Sequence, residues 1–224
     1  MCSAAGDPAL DVKSTPGRLR VEELIERASL SRLLGQLYRK ELDSPLVAGL
    51  NGAGVFEHLE SNGFKLDADR LEDGAYLKEL GREYTRLFIG PGPHLALYGS
   101  VHHPDDPRQG QLWGQTTKEV HRLAKDHGLG FEGPAYDGIP DHLGHMFELM
   151  GRLLLAELDA VSAGDEVLAE RLKSSQRVLV ERYLMPWVPT FCRKVRTRAE
   201  SSFYGEIARL TDEFLQGEHE LLTN

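Results

Sequence analysis

Ile139-Pro140-Asp141-His142-Leu143-Gly144-His145-Met146-Phe147-Glu148-Leu149-Met150-Gly151-Arg152-Leu153-Leu154 is the stretch from which the rest of the chain is read. Leu143, Phe147, Met150 and Leu154 fall on one face at helical spacing. Pro140 ends what precedes, and Asp141 stands where an N-cap belongs, its carboxylate suited to the unpaired first-turn N–H groups. A long helix is therefore predicted from Asp141 onward.

The same period recurs on both sides. Leu30, Leu33, Leu34 and Leu37 keep it within a helix predicted over about Val21 to Leu42, which Ser44-Pro45 breaks. Asn51-Gly52-Ala53-Gly54 reads as a loop before a short helix near Val55 to Glu60. A further helix, about Asp73 to Phe88, stops at Gly90-Pro91-Gly92-Pro93. Residues 90–114 are rich in Gly, Pro, aromatics and His without helical period, a long irregular segment of the kind that carries function. Helix resumes near Gln115 and closes at Gly128, and Leu129 to Pro140 is a second loop. Helices follow at about Asp165 to Leu184, Thr190 to Arg198 and Ser201 to Leu215, the last with Phe203, Ile207, Leu210 and Phe214 in register. No set of period-two runs appears, so the fold expected is all-α, one helical bundle over 19–224 with a long irregular loop and a disordered tail over 1–18.

At 224 residues such a bundle buries roughly 70% of its unfolded surface and needs no staple. Two cysteines, Cys2 and Cys192, make no disulfide framework and suit a reducing compartment. No signal-peptide core, no long apolar run and no Arg-Arg pair occurs, so the chain is expected to stay soluble in the cytoplasm, without membrane insertion. A net charge of −9 argues against nucleic acid as partner. Charge is uneven: Phe131 to Glu166 holds eight acidic residues and one basic, Val167 to Glu200 eight basic and three acidic. The acidic block would attract a cationic peptide; the plainer reading is two solvated helix faces.

Asp141 and His142 together offer an acceptor and a titratable donor to a basic peptide, although capping alone would explain Asp141. Tyr98 and Trp113 either line a groove for an apolar peptide or plug the loop onto the core. A metal reading would combine His102, His103, His142 and His145, with Asp105, Asp106 and Glu148 nearby. The His142/His145 spacing is common, however, and lacks the zincin pattern. Cys192 lies among Arg193, Lys194 and Arg196 with no partner His, and reads as a packing residue. A purely structural adaptor is a third reading, in which these His and Asp residues are only caps.

Four motifs carry a family resemblance over about Arg27 to Leu215. Tyr84-x-x-Leu87-Phe88-x-Gly90, followed by Tyr98-Gly99-Ser100-Val101, Gly114-x-Thr116-Thr117 and Ile139-Pro140-Asp141-His142-Leu143-Gly144, resembles the TorD/DmsD/NarJ family of molybdoenzyme maturation chaperones. Trp187-x-x-x-Phe191 and Phe203-Tyr204 fit as well. The chain departs from the pattern at Tyr98 and Gly99, where Trp and Glu are favoured, at His102, where an aromatic is favoured, and before Pro140, where the leading Glu is not evident. The resemblance implies a non-enzymatic cytoplasmic chaperone with no cofactor of its own. It would bind the catalytic subunit of a molybdenum oxidoreductase through that subunit's N-terminal leader, assist insertion of the molybdopterin guanine dinucleotide, and hold back twin-arginine export. The departures point to the branch serving type II enzymes of the dimethyl sulfoxide reductase group. The residues it implies for peptide binding are Tyr98, Gly99, Ser100, Trp113, Pro140, Asp141 and His142. A monomer is expected, with a domain-swapped dimer as the alternative.

Overall fold

The computed structural model describes residues 15–131 and 138–223, the side chains of Thr15 and Pro16 aside. Among the described residues the chain runs through α1 (Thr15–Arg39), α2 (Ser44–Gly52), α3 (Val55–Ser61), α4 (Gly74–Tyr84), α5 (Gly99–His102), α6 (Gln115–Lys125), α7 (Leu143–Ser162), α8 (Glu166–Val178), α9 (Val188–Arg198) and α10 (Ser202–Thr223). No strand forms among them; one isolated antiparallel bridge joins Tyr98 to His142. The all-α expectation holds. No described helix is long and apolar enough to cross a membrane.

α7 is the central helix. Leu143, Phe147, Met150 and Leu154 are fully buried as their spacing predicts, but so are Met146, Leu149 and Leu153 on the other faces. A helix apolar over most of its circumference is packed over most of it, and Glu148, Arg152 and Asp159 mark the less covered side. The closest neighbour is α1, and glycine sets the approach. A Cβ on Gly144 would lie 2.6 Å from Arg39 Cγ and 2.8 Å from the Gly35 carbonyl, and one on Gly151 would strike Arg32. Ser31, buried in the seam, donates its hydroxyl to the Phe147 carbonyl at 2.8 Å.

At the other end of this seam a polar network replaces apolar contact. The Arg27 guanidinium grips Glu218 of α10 through two bonds of 2.8 Å and reaches Gln176 of α8 at 3.3 Å. Gln176 in turn donates to Glu157 of α7 at 2.7 Å. Glu157, Gln176 and Glu218 are all buried, so each acceptor depends on its remote partner.

Several boundaries differ from expectation, each for a local reason. α1 begins at Thr15, ahead of Val21; the rest of the predicted tail, residues 1–14, lies outside the described residues. Ser44-Pro45 breaks α1 but also opens α2, because Asp43 caps it by accepting from Leu46 N at 2.9 Å and Pro45 sits where no N–H is needed. Asn51 and Gly52 are thus the end of a helix and not a loop. α4 and α8 each run on into a π turn, Thr85–Ile89 and Leu179–Leu184. In the second, the carbonyls of Arg182 and Tyr183 accept from His103 and Trp187 at 2.7 and 2.8 Å. α10 continues past Leu215 to Thr223, its last turns held by Glu218 and by buried Leu222.

Candidate functional site

The N-cap of α7 is His142, not Asp141: its Nδ1 accepts from Gly144 N at 3.1 Å. Asp141 is freed for a different task. Its side chain is fully buried, Oδ2 accepts from Ser100 N at 2.6 Å, and Oδ1 accepts from the Thr117 hydroxyl at 2.8 Å. The Asp141 carbonyl also accepts from Gly99 N, while Leu143 N donates to Leu97. One carboxylate therefore ties together the start of α5, the start of α6 and the entry to α7. Gly99 packs closely there, and a Cβ would lie 3.1 Å from the Thr116 methyl. The expected direct meeting of Asp141 with a peptide is corrected accordingly: the carboxylate has no exposed surface and both oxygens are engaged.

Asp106 repeats the device on α6. It is buried and accepts from the N–H groups of Arg108, Gln115 and Thr116 at 2.9, 3.2 and 2.8 Å. Burial works against its charge, but these donors outweigh it and hold the carboxyl below its ordinary range. A Cβ on Gly114 would strike this carboxylate, which is why glycine precedes the helix. Glu83, also buried, serves α10 likewise, accepting from Glu200 N and Ser201 N at 2.6 and 3.1 Å.

In front of the Asp141 junction lies a cleft of about 660 Å³. Gln36, Arg39 and Lys40 at the end of α1 form one wall, with Pro45 and Leu46 of α2 as the floor of the rim; Tyr98, Ile139, His142 and His145 form the other. Tyr98 meets His142 edge-on, with ring centroids 5.1 Å apart, and His142 meets His145 at 5.3 Å. Phe131 backs His145 at 5.9 Å. All three cleft rings stay uncharged near neutral pH. Burial, helped by His145 and Arg39, pushes His142 down to about 3. Burial likewise lowers His145 and, with the Asp141 charge, raises Tyr98. The expected titration of His142 in the physiological range is thus corrected. Lys40 pairs with Asp43 at 2.5 Å on the rim.

Of the residues expected to bind peptide, Tyr98 and His142 face this cleft. Gly99, Ser100 and Asp141 stand behind it, and Pro140 is buried at its edge. Trp113 neither lines the cleft nor plugs the core; it is 57% exposed. Sequence reasoning missed Gln36, Arg39, Lys40 and Leu46, whose place depends on how α1 packs against α7. Part of the expected second loop, residues 132–137, lies outside the described residues.

The histidines of the metal reading are otherwise occupied. His102 Nε2 bonds to the Ala96 carbonyl and its ring stacks on Trp187 at 5.0 Å. His103 donates to the Arg182 carbonyl and accepts from Asp105 N. Among the described residues no group of three or more His, Cys, Asp or Glu is placed to hold a metal ion, so that reading has no site there. Cys192 is fully buried, and burial pushes its thiol well up, as a packing residue requires.

A family model described as nitrate reductase delta subunit matches residues 57–193. That span holds Tyr84 to Gly90, Tyr98 and the whole Ile139 to Gly144 signature. The chaperone protein TorD of Shewanella loihica is 29% identical over 201 residues, covering 83% of this chain and 87% of that protein. TorD of Vibrio vulnificus strain YJ016 is 26% identical over 200 residues, covering 83% and 89%. TorD of Shewanella amazonensis is 26% identical over 235 residues, covering 88% and 92%. With more than half its length matched by the family model, the chain belongs to the TorD/DmsD/NarJ family of chaperones.

Proposed function

We propose that the cleft between Tyr98 and the α1–α2 corner is where this chaperone receives the N-terminal leader of its client, the catalytic subunit of a molybdenum oxidoreductase. Membership of the family makes the protein a system-specific molybdoenzyme chaperone and not an enzyme. The observation that carries the cleft reading is the Tyr98–His142 contact, which brings two of the family motifs, separate in the chain, to one concave surface. Its volume falls within the range of roughly 300–1,000 Å³ typical of ligand pockets.

The lining selects the part of the leader that enters. Uncharged rings, Ile139, Pro45 and Leu46 present an apolar and aromatic wall, while the charged side chains of the lining are Arg39, Lys40 and Asp43. An apolar stretch fits this wall; a pair of guanidiniums gains nothing from it, because Asp141 is out of reach. The arginines of a twin-arginine leader therefore stay outside, and binding occurs in the cytoplasm before cofactor insertion and export. Calorimetric titration of the client's leader peptide tests this. Replacing the apolar stretch by polar residues abolishes the heat of binding on this account. Equal affinity for the two peptides would contradict it.

A further inference from the structure

Among the exposed apolar side chains of the described residues is an aromatic one, Trp113, held on an irregular loop and not on a helix face. Leu112 is 42% and Trp113 57% exposed, side by side at the end of the irregular loop. Trp113 has φ +61°, a left-handed backbone that a bulky side chain adopts only when its surroundings impose it. Those surroundings are the staples on either side. Asp106 fixes Arg108, Gln115 and Thr116; Gly110 N donates to the Val101 carbonyl at 3.1 Å; and Gln109 Nε2 reaches the His102 carbonyl at 3.2 Å. The loop is thus a stapled turn that presents an indole to solvent in a fixed direction. A preorganised aromatic inside a polar rim, here Arg108, Gln109 and Gln111, is the form an interaction anchor takes.

We infer that Leu112 and Trp113 of one copy of this chain dock into the leader cleft of a second copy, so that the empty chaperone shields its own site until a leader displaces the anchor. This rests on the cleft reading above and concerns its regulation. The surface that receives the anchor is on the same molecule. Ile139, Leu46, Pro45 and the uncharged rings of Tyr98, His142 and His145 complement an indole and a leucine. Lys40 and Arg39 on the rim suit the negative face of an indole better than that of any other side chain. The anchor and an apolar leader stretch are chemically alike, so they compete. Two exchanged anchors, with about 150–250 Å² buried per tryptophan, reach only the low end of specific interfaces, so the association is weak and reversible.

The test uses the full chain in sedimentation velocity over a concentration series, with Trp113→Ala and Leu46→Lys as variants and melting curves to verify that each folds. The expected result is reversible association of the unmodified chain, lost in each variant alone and partly restored when the two are mixed, because one supplies the cleft and the other the anchor. The chain has two tryptophans, and Trp187 is buried, so association also shifts the Trp113 emission to the blue. Added leader peptide returns the unmodified chain to monomer and binds Trp113→Ala more tightly than the unmodified chain. Association unchanged in Trp113→Ala, or absent from the unmodified chain throughout the series, overturns the inference. Anchor-dependent association that leader peptide leaves intact overturns it as well. A leader that fails to bind monomeric Trp113→Ala, with complementation between the two variants retained, refutes the leader reading of the cleft and leaves the anchor in it.

Discussion

Asp141 and His142 are neighbours in the chain and belong to two different regions of the molecule. Asp141 faces inward to the junction of α5, α6 and α7, where its carboxylate is fully buried and serves Ser100 and Thr117. His142 faces the cleft, where its ring meets Tyr98 and His145. Gly144, two residues on, belongs with Asp141, since it admits the backbone of α1. One short motif thus builds a scaffold with Asp141 and Gly144 and a cleft wall with Ile139 and His142. The lesson is that a charged residue in a family signature can be there to assemble a cleft that it does not line.

The comparison is broken most severely at the junction. Asp141→Ala leaves a buried N–H and a buried hydroxyl with no acceptor, and bonds to a charged group count for more than neutral ones. We expect a loss of about 3–5 kcal/mol, read from urea denaturation. Asp141→Asn keeps one acceptor and costs less. A leader-affinity change in Asp141→Asn without any stability change would place the carboxylate in direct contact after all. Gly144→Ala drives a methyl against the Gly35 carbonyl and the Arg39 stem, with an expected cost of about 1–3 kcal/mol in the same measurement.

Changes on the cleft side move binding more than folding. Tyr98→Ala removes an aromatic wall, and leader affinity is expected to fall about tenfold, or roughly 1.4 kcal/mol by titration. The smallest effect concerns pH. His142 stays neutral down to about 3, and His145 is also lowered, so leader affinity should be nearly flat between pH 6.5 and 8. Stability behaves differently. Below the ordinary value of 6.5 the unfolded chain takes up protons at these histidines and the folded chain does not. Their contribution is therefore complete above 6.5 and declines as pH falls towards 3. A sharp change in affinity near pH 6.5 would mean that a different group controls the cleft.

What could be read in the sequence was what depends on near neighbours. The 3.6-residue period of α7, α1 and α10 is local, and so are the stops at Gly90-Pro91 and Gly128. The partners of Arg27, Asp141 and Glu83 are distant in the chain, so nothing beside them announced their roles. Asp141 was legible as a helix cap in kind, but it caps α5 and not its own helix. Tyr98 and His142 were legible as candidates through the family motifs, whereas Arg39 and Leu46 joined them as cleft-lining residues only when the Gly35/Gly144 approach brought the end of α1 to the cleft. The exposure of Trp113 follows from a backbone conformation that no sequence pattern signals.

The central claim is that the leader lies in the cleft bounded by the end of α1, the start of α2 and the Tyr98–His142 contact. A leader peptide carrying a photoreactive group in its apolar stretch, cross-linked to the chaperone and mapped by mass spectrometry, tests it most directly. The account predicts cross-links at residues 36–46, 98 and 138–145, competed away by unlabelled leader. Competable cross-links confined to other surfaces, such as the basic face of α9, would contradict it.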